Sequence, residues 1–427
     1  MEILYYINLA LATGLLVIPI WWSKRFLHLD WLNPVTILTL SVLPFGLFRI
    51  YAGQILSENG LLYFPYQFAV LMTNLQQSIF TLLLIFALKT RFASRAIYAL
   101  PRLGTYSSKQ LRILSFSFLV LYIIAFFLLA IKTGGIWSWL SNIRGSYMTK
   151  REGNGLYYAG ALSFLSLSYF LRGIISKNTG HFTVISLVYF ALVYVLGSKG
   201  FLLQFFIFYF IIIWKQGTSN FNRIFFLLLP VVFLVMLINF FSNRDTIDLL
   251  DITNYFDYYR NAAMYYSDYF SGAIDLFGGK VLLSSLWEYV PRGLYPNKPF
   301  VYGVLHIVEH YYPGGAESGN TPAFDGGVAQ FADFGVFGVL AQAILNPGVF
   351  IYATALHYVL KQQVFLNTEV HTGRSLLVCL LIFSPAFGTF IPVGMLLLFL
   401  VLLFLYSRFV LMLVPFFRLA ASIPPYD

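Results

Sequence analysis

The sequence predicts an all-α polytopic membrane protein of about 11 transmembrane helices, with a large, partly helical loop outside the cytoplasm. Three observations predict it. The first is solvent preference: 59% of the 427 residues are hydrophobic and 10% are charged, and a mean hydropathy of +0.76 suits a membrane and not water. The second is the placing of the cations. Lys24 and Arg25, the run from Lys89 to Arg112, Arg172 and Lys177, Lys215 and Arg223, Lys361 and Arg374, and Arg408 and Arg418 all flank apolar stretches on one side. That is positive-inside topology, and it accounts for the net charge of +10 without a nucleic-acid partner. The third is that most of the acids, from Asp245 to Asp333, fall within one polar segment.

Apolar runs long enough to cross a bilayer fall near 3–22, 33–53, 64–88, 112–132, 156–175, 182–197, 200–215, 223–242, 335–360, 375–391 and 393–415. The first starts without a basic region and ends without a small-residue cleavage site, so it reads as a span and not as a signal peptide. With Lys24 and Arg25 inside, the alternation puts 89–111 and the C-terminus inside as well. Gly197 to Gly200 and Asn346-Pro347-Gly348 are the points where a helix pair is most prone to merge or break. The single cysteine, Cys379, excludes a disulfide framework.

Within this single integral membrane domain, 1–427, two segments are too polar to span. The shorter outer loop, 134–155, carries Arg144, Lys150, Arg151 and Glu152. The longer, 243–334, is of a length that is uncommon without a function. Within it NYFDYYRNAAMYYSDYF, 254–270, places Tyr255, Tyr259, Tyr266 and Phe270 near helical spacing. This predicts an interfacial helix lying on the membrane or packing on spans, and its rings could also stack on sugars. Gly326, Gly327, Gly335 and Gly338 predict close packing where the loop re-enters. Gln76, Gln77, Gln204 and Asn239 read as interhelical hydrogen-bonding groups. Arg49 reads as a snorkelling cation, or as one that touches a diphosphate. His357 and His371 suggest no partner.

Both outer loops repeat one spacing. Arg144 is followed by ten residues and Gly155 in RGSYMTKREGNG, and Arg292 by ten residues and Gly303 in RGLYPNKPFVYG. Pro291, Pro296 and Pro299 stiffen the second loop around Arg292 and Lys298.

These two loops, the PR...YPNKP segment and the outer hairpin GSKG resemble the bacterial Wzy family, the O-antigen and oligosaccharide repeat unit polymerases. The resemblance implies a GT-C type membrane glycosyltransferase of the bacterial inner membrane. Its donor is then a glycan on undecaprenyl diphosphate and its acceptor a second lipid-linked repeat unit. It also implies a site on the outer face, no cofactor, and a chain-length regulator and flippase of the same pathway as partners. The family's loop arginines carry over to Arg144 and Arg292. Lys199 stands in GSKG where relatives carry arginine, and Gln330 and Asp333 in VAQFADFG vary a segment where relatives have Glu and Asn.

The chemistry asks for the same residue types. Outside the cytoplasm there is no ATP, so growth must use a preactivated bond, and the diphosphate leaving group gains charge in the transition state. Arginine offers a permanently charged fork that matches phosphate oxygens. Arg144 and Arg292 are the catalytic candidates, with Lys298, Lys199, Arg260, Arg244, Asp325 and Tyr295 as substrate-binding candidates. The acceptor hydroxyl needs a base, and His306, Glu309, His310, Asp325 and Asp333 are the choices, His306 first because imidazole titrates nearest neutral pH. His306 to His310 also spells H-I-V-E-H, the inverted zinc-peptidase pattern, with Glu309 as its base. Pro299 and Pro313 leave that helix short. An O-antigen ligase-like transferase and a non-catalytic transporter or flippase remain as alternatives. The flippase reading lacks the internal repeat it would need, and it does not need a loop of about ninety residues.

Overall fold

In the computed structural model, the structure describes residues 2–28, 33–36, 39, 46–47, 49–53, 62–90, 95, 105–141, 143, 154–176, 178–215, 257–290, 295–318, 322–345, 370–372, 401–402 and 404–413. It is mostly helical, and the chain forms two compact units, each built from two stretches of sequence. One unit comprises Met1–Ala93 and Phe233–Ala353, the other Ser94–Val232 and Thr354–Asp427. The expected spans at 223–242 and 375–391 lie outside the described residues.

In the first unit, α1 (Glu2–Arg25) is largely apolar and ends on Lys24 and Arg25, cations that complement the negative end of a helix. It packs on α2 (Tyr63–Lys89), 27 residues and so about 40 Å long at 1.5 Å per residue. Asn8 donates from Nδ2 to the Gln67 carbonyl and to Gln67 Oε1, and Asn74 donates to Asn8 Oδ1. Buried amides are thus paired between the two helices, as they must be where no water competes.

In the second unit, α3 (Ser108–Lys132) begins in a reciprocal cap between Ser107 and Gln110. It packs along α5 (Gly155–Ile175), where Ser115 and Ser168 each donate to the other's carbonyl at 2.9 and 2.8 Å. Small hydroxyl residues let the two backbones approach that closely. Between them α4 (Ile136–Leu140) buries Trp139, whose Nε1 donates to Val195 O at the end of α6 (Thr179–Val195). α7 (Lys199–Lys215) follows a turn at Gly197. The predicted hairpin of 182–197 and 200–215 is therefore two separate 17-residue helices. Gly155 to Ile175, Thr179 to Val195 and Lys199 to Lys215 meet around Tyr169, which stacks on Phe182 and Phe205.

One short ribbon departs from an all-α fold. β1 (Thr105–Ser107) pairs antiparallel with β2 (Val370–Thr372), Tyr106 opposite His371. His371, unassigned from the sequence, sits in this ribbon.

The long polar segment completes the first unit. It forms α8 (Asp257–Ser271), α9 (Lys280–Ser284), a 3-10 turn (Ser285–Tyr289), α10 (Leu305–Tyr311), α11 (Gly315–Ser318) and α12 (Val328–Leu345). α8 does not offer its predicted face for stacking on sugars. Tyr259 and Tyr266, with Ala262, Ala263 and Tyr265, are buried in the core of this unit. Phe68 of α2, Tyr266 of α8 and Phe331 of α12 meet edge to face, each such contact worth about 0.5 to 1.5 kcal/mol beyond area burial. Tyr255 lies outside the described residues.

The expected close packing of the loop's glycines is present. Gly326 has φ +66, and a Cβ there would lie 2.7 Å from the Ala69 Cβ, so only glycine lets the turn seat on α2. Tyr266 Oη holds that turn by donating to Gly326 O at 2.6 Å. α12 is broken at Phe334 and Gly335, whose backbone angles are not helical. Gly338 then folds back against the Gln330 carbonyl. Five described helices, α1, α2, α3, α5 (from Tyr157) and α12, are long and apolar enough to cross a membrane, but this break makes α12 two short helices rather than one rod. Phe404–Leu413, within the span expected at 393–415, is also helical.

Candidate functional site

The candidate site is built where α9 meets α12. Asp333, buried on α12, accepts from the backbone N–H groups of Gly279, Val281 and Leu282 at 3.1, 2.9 and 2.6 Å. Phe277 N–H donates to Ala332 O alongside. A carboxylate at a helix start both satisfies orphan amides and complements the dipole. With its oxygens engaged by three amides, Asp333 is a positioning group for α9 and not a free base.

From α9 the order passes to α10. Ser284 Oγ donates to Lys280 O at 2.6 Å and accepts from Gly303 N–H at 2.8 Å. Gly303, the last residue of the second arginine-to-glycine motif, has φ +55, so a side chain there is strained by the backbone, while Ser285 lies at ordinary contact distance. Gly155, its counterpart in the first motif, instead starts α5 with open space around it. The two motifs share a spacing but not a backbone role for their glycines. The His306 N–H donates to Gly303 O at 3.2 Å and begins α10.

His306 is half-buried, with Lys280 and Asp333 as its charged neighbours. Burial, and then the Lys280 ammonium, hold its pKa below the usual histidine value of 6.5, and the Asp333 carboxylate offsets part of that shift. The imidazole is therefore neutral at pH 7 and able to take a proton. Lys280 was missed from the sequence. Its signal was Gly278-Gly279-Lys280, two glycines at positive φ turning the chain into α9.

The other base candidates are engaged differently. Glu309 accepts from Gly314 N–H at 2.7 Å and Ala316 N–H at 3.3 Å, which spends the carboxylate that the zinc-peptidase pattern needs. His310 is exposed, its ring edge-on to Tyr311 at 4.9 Å. Asp325 is exposed and accepts from Gly326 N–H. Among the described residues no group of three His, Cys, Asp or Glu side chains is placed to hold a metal ion.

Tyr295 to Lys298 forms a turn closed by Lys298 N–H to Tyr295 O. Tyr295 is exposed and stacks on Trp287 at 5.4 Å, whereas Lys298 is buried with its ammonium 4.3 Å above the Tyr302 ring. Lys298, a substrate-binding candidate from the sequence, is thus packed on Tyr302 within the loop. Arg260 is half-buried on α8, and its neighbour Asn261 joins Ala323 O to the Tyr312 hydroxyl. Lys199 starts α7, and its side chain lies outside the described residues, as do Arg144, Arg244 and Arg292 altogether.

A second buried cation stands beneath α8. Arg49 donates from Nη1 to Tyr259 Oη at 2.7 Å, and Tyr259 is 2.9 Å from Thr73 Oγ1. Tyr66 Oη donates to the Arg49 carbonyl. Arg49 is buried in this network and does not reach for a membrane surface as expected.

Comparison with known proteins gives a partial match. No family model matches the sequence, and no solved structure does. O-antigen polymerase of Salmonella typhimurium (strain LT2) and O-antigen polymerase of Salmonella typhi are each 33% identical over 115 residues. The aligned stretch is 26% of this chain and 26% of the relative. The chain therefore matches these relatives over about a quarter of their length, 26%. Over that stretch it is similar to O-antigen polymerases.

Proposed function

We propose that this chain polymerises lipid-linked oligosaccharide repeat units. It transfers a glycan from polyprenyl diphosphate to a sugar hydroxyl of a second lipid-linked unit, on the outer face of a bacterial inner membrane. The observation that carries the reading is the identity with two proteins named O-antigen polymerase. The neutral imidazole of His306, held beside Lys280 in a polar segment between apolar helices, supports it chemically.

In this reading 134–155 and 243–334 are the two outer loops. The acceptor oxygen bonds to the anomeric carbon as its proton passes to His306. The bond from that carbon to the diphosphate breaks, and its electron pair leaves on the polyprenyl diphosphate. Arg144 and Arg292 meet the charge that grows there, a task in which one preorganised donor is worth about 2.7 to 4 kcal/mol. Tyr295 offers a face to a pyranose.

The test is purified chain in liposomes with polyprenyl diphosphate repeat units and nothing else. A ladder of longer lipid-linked glycans is expected. Product that forms only after a separate lipid A-type acceptor is added would identify a ligase and overturn the polymerase reading.

A further inference from the structure

α9 and the 3-10 turn after it present an apolar face that the fold leaves open. Val281 points into the core, while Leu282, Leu283 and Leu286 are 61%, 69% and 60% exposed. Leu82 and Phe86, on the candidate span α2, are 66% and 62% exposed. The three leucines are thus as open as side chains that a bilayer covers.

The face is continuous with another of the same kind. The Asp333 carboxylate grips the amide of Leu282, a Cβ at Gly279 would lie 3.2 Å from the Phe334 ring, and Leu276 borders Gly335. Phe334, Val336 and Phe337 continue the exposed apolar surface onto α12, which is apolar enough to enter a membrane. Lys280 stands exposed at the start of α9. Leucines on one side of a short helical segment with a lysine at its edge suit acyl chains and lipid phosphates respectively.

We infer that residues 280–286 insert into the headgroup region of the bilayer, Leu282, Leu283 and Leu286 among the acyl chains and Lys280 at the phosphates. The element lying in the interface is then this one, while α8 packs on α2 with Tyr259, Tyr265 and Tyr266 buried. Because Ser284 holds Gly303, and Gly303 leads into α10, the insertion fixes His306 at the depth of the headgroups. The inference concerns lipid contact and stands apart from the reaction catalysed.

The chain has one cysteine, so Cys379→Ala clears it for labelling. Leu283→Cys carrying a polarity-sensitive fluorophore is compared in liposomes with Phe86→Cys and Glu317→Cys, using phospholipids with nitroxides near the headgroup or deep in the acyl chain. A blue-shifted label at Leu283, quenched several-fold more by the shallow nitroxide than the Glu317 label is, is the expected result. Emission at Leu283 equal to that in water, without quenching, overturns the inference. A blue shift lost on dilution to one chain per liposome also overturns it, in favour of a second copy. Leu286→Cys gives the same readings should Leu283→Cys fail to fold.

Discussion

Gly303 and Ser284 are joined by a 2.8 Å hydrogen bond from the glycine amide to the serine hydroxyl, across 19 residues of sequence. This contact ties the motif glycine to the helix that carries Lys280. Gly303→Ala places a side chain at φ +55 against Ser285 and costs about 1 to 2 kcal/mol. Ser284→Ala leaves the amide without its partner, a loss of roughly 1 to 3 kcal/mol. Both are expected to lower thermal stability in detergent and to shorten the product ladder, which calorimetry and gel analysis check.

His306→Gln is expected to abolish chain lengthening at every pH. In the native chain activity falls as pH drops through the lowered pKa of His306, below 6.5. Lys280→Met removes a nearby positive charge, raises that pKa and moves the acid limb to higher pH. The sign for stability follows from the same shift. The folded state prefers neutral His306, so its contribution is full above the unfolded value and is lost as pH falls through the lowered one. NMR titration of His306 in the native chain and in Lys280→Met decides whether the limb is its own.

Asp333→Asn works in the opposite direction on that limb. The lost carboxylate had raised the His306 pKa, so the acid limb moves to lower pH. An amide nitrogen now faces an N–H that the carboxylate accepted, and each hydrogen bond to a charged group is worth about 1.5 to 3 kcal/mol. Reduced turnover with a limb displaced downward is the predicted pair of readings. An unchanged limb would remove Asp333 from the neighbourhood of the base.

Arg49→Met and Tyr259→Phe each break the 2.7 Å bond between α8 and the first unit's core. Tyr259→Phe costs roughly 1 to 3 kcal/mol, because Arg49 stays buried without that oxygen. The double variant should cost less than the sum of the singles, as expected for groups in direct contact. Chemical denaturation in detergent measures the cycle.

Arg144→Ala and Arg292→Ala are each expected to leave single lipid-linked units unextended while the chain still inserts in the membrane. Extension at native rates by either variant would remove that arginine from the reaction.

Long apolar runs were legible because a bilayer leaves them one solution. The run near 64–88 is the helix Tyr63–Lys89, and that near 156–175 is Gly155–Ile175. What the sequence hid depends on partners far along the chain. Asp333 reads as a free acid until Gly279, 54 residues earlier, is seen to donate to it. Tyr259 reads as one ring of a helix face lying on the membrane or packing on spans, and its bonds to Arg49 and Thr73 appear only in the fold. The break in α12 at Phe334 and Gly335 falls where the polar segment 243–334 gives way to the span expected at 335–360, but the helix running up to it from Val328 was not read from the sequence. His306 could be named as a candidate base from its chemistry alone, whereas its neighbour Lys280 needed the fold to bring α9 beside α10.

The bond from Arg49 to Tyr259 spans 210 residues. A ribosome working at about 5 to 20 residues per second needs roughly 10 to 40 seconds to make that stretch. Throughout that interval the guanidinium is already synthesised and its phenol partner does not exist. The first unit is thus completed late, after much of the second has been translated, and the nascent chain must shelter a cation in or beside lipid until α8 arrives to receive it.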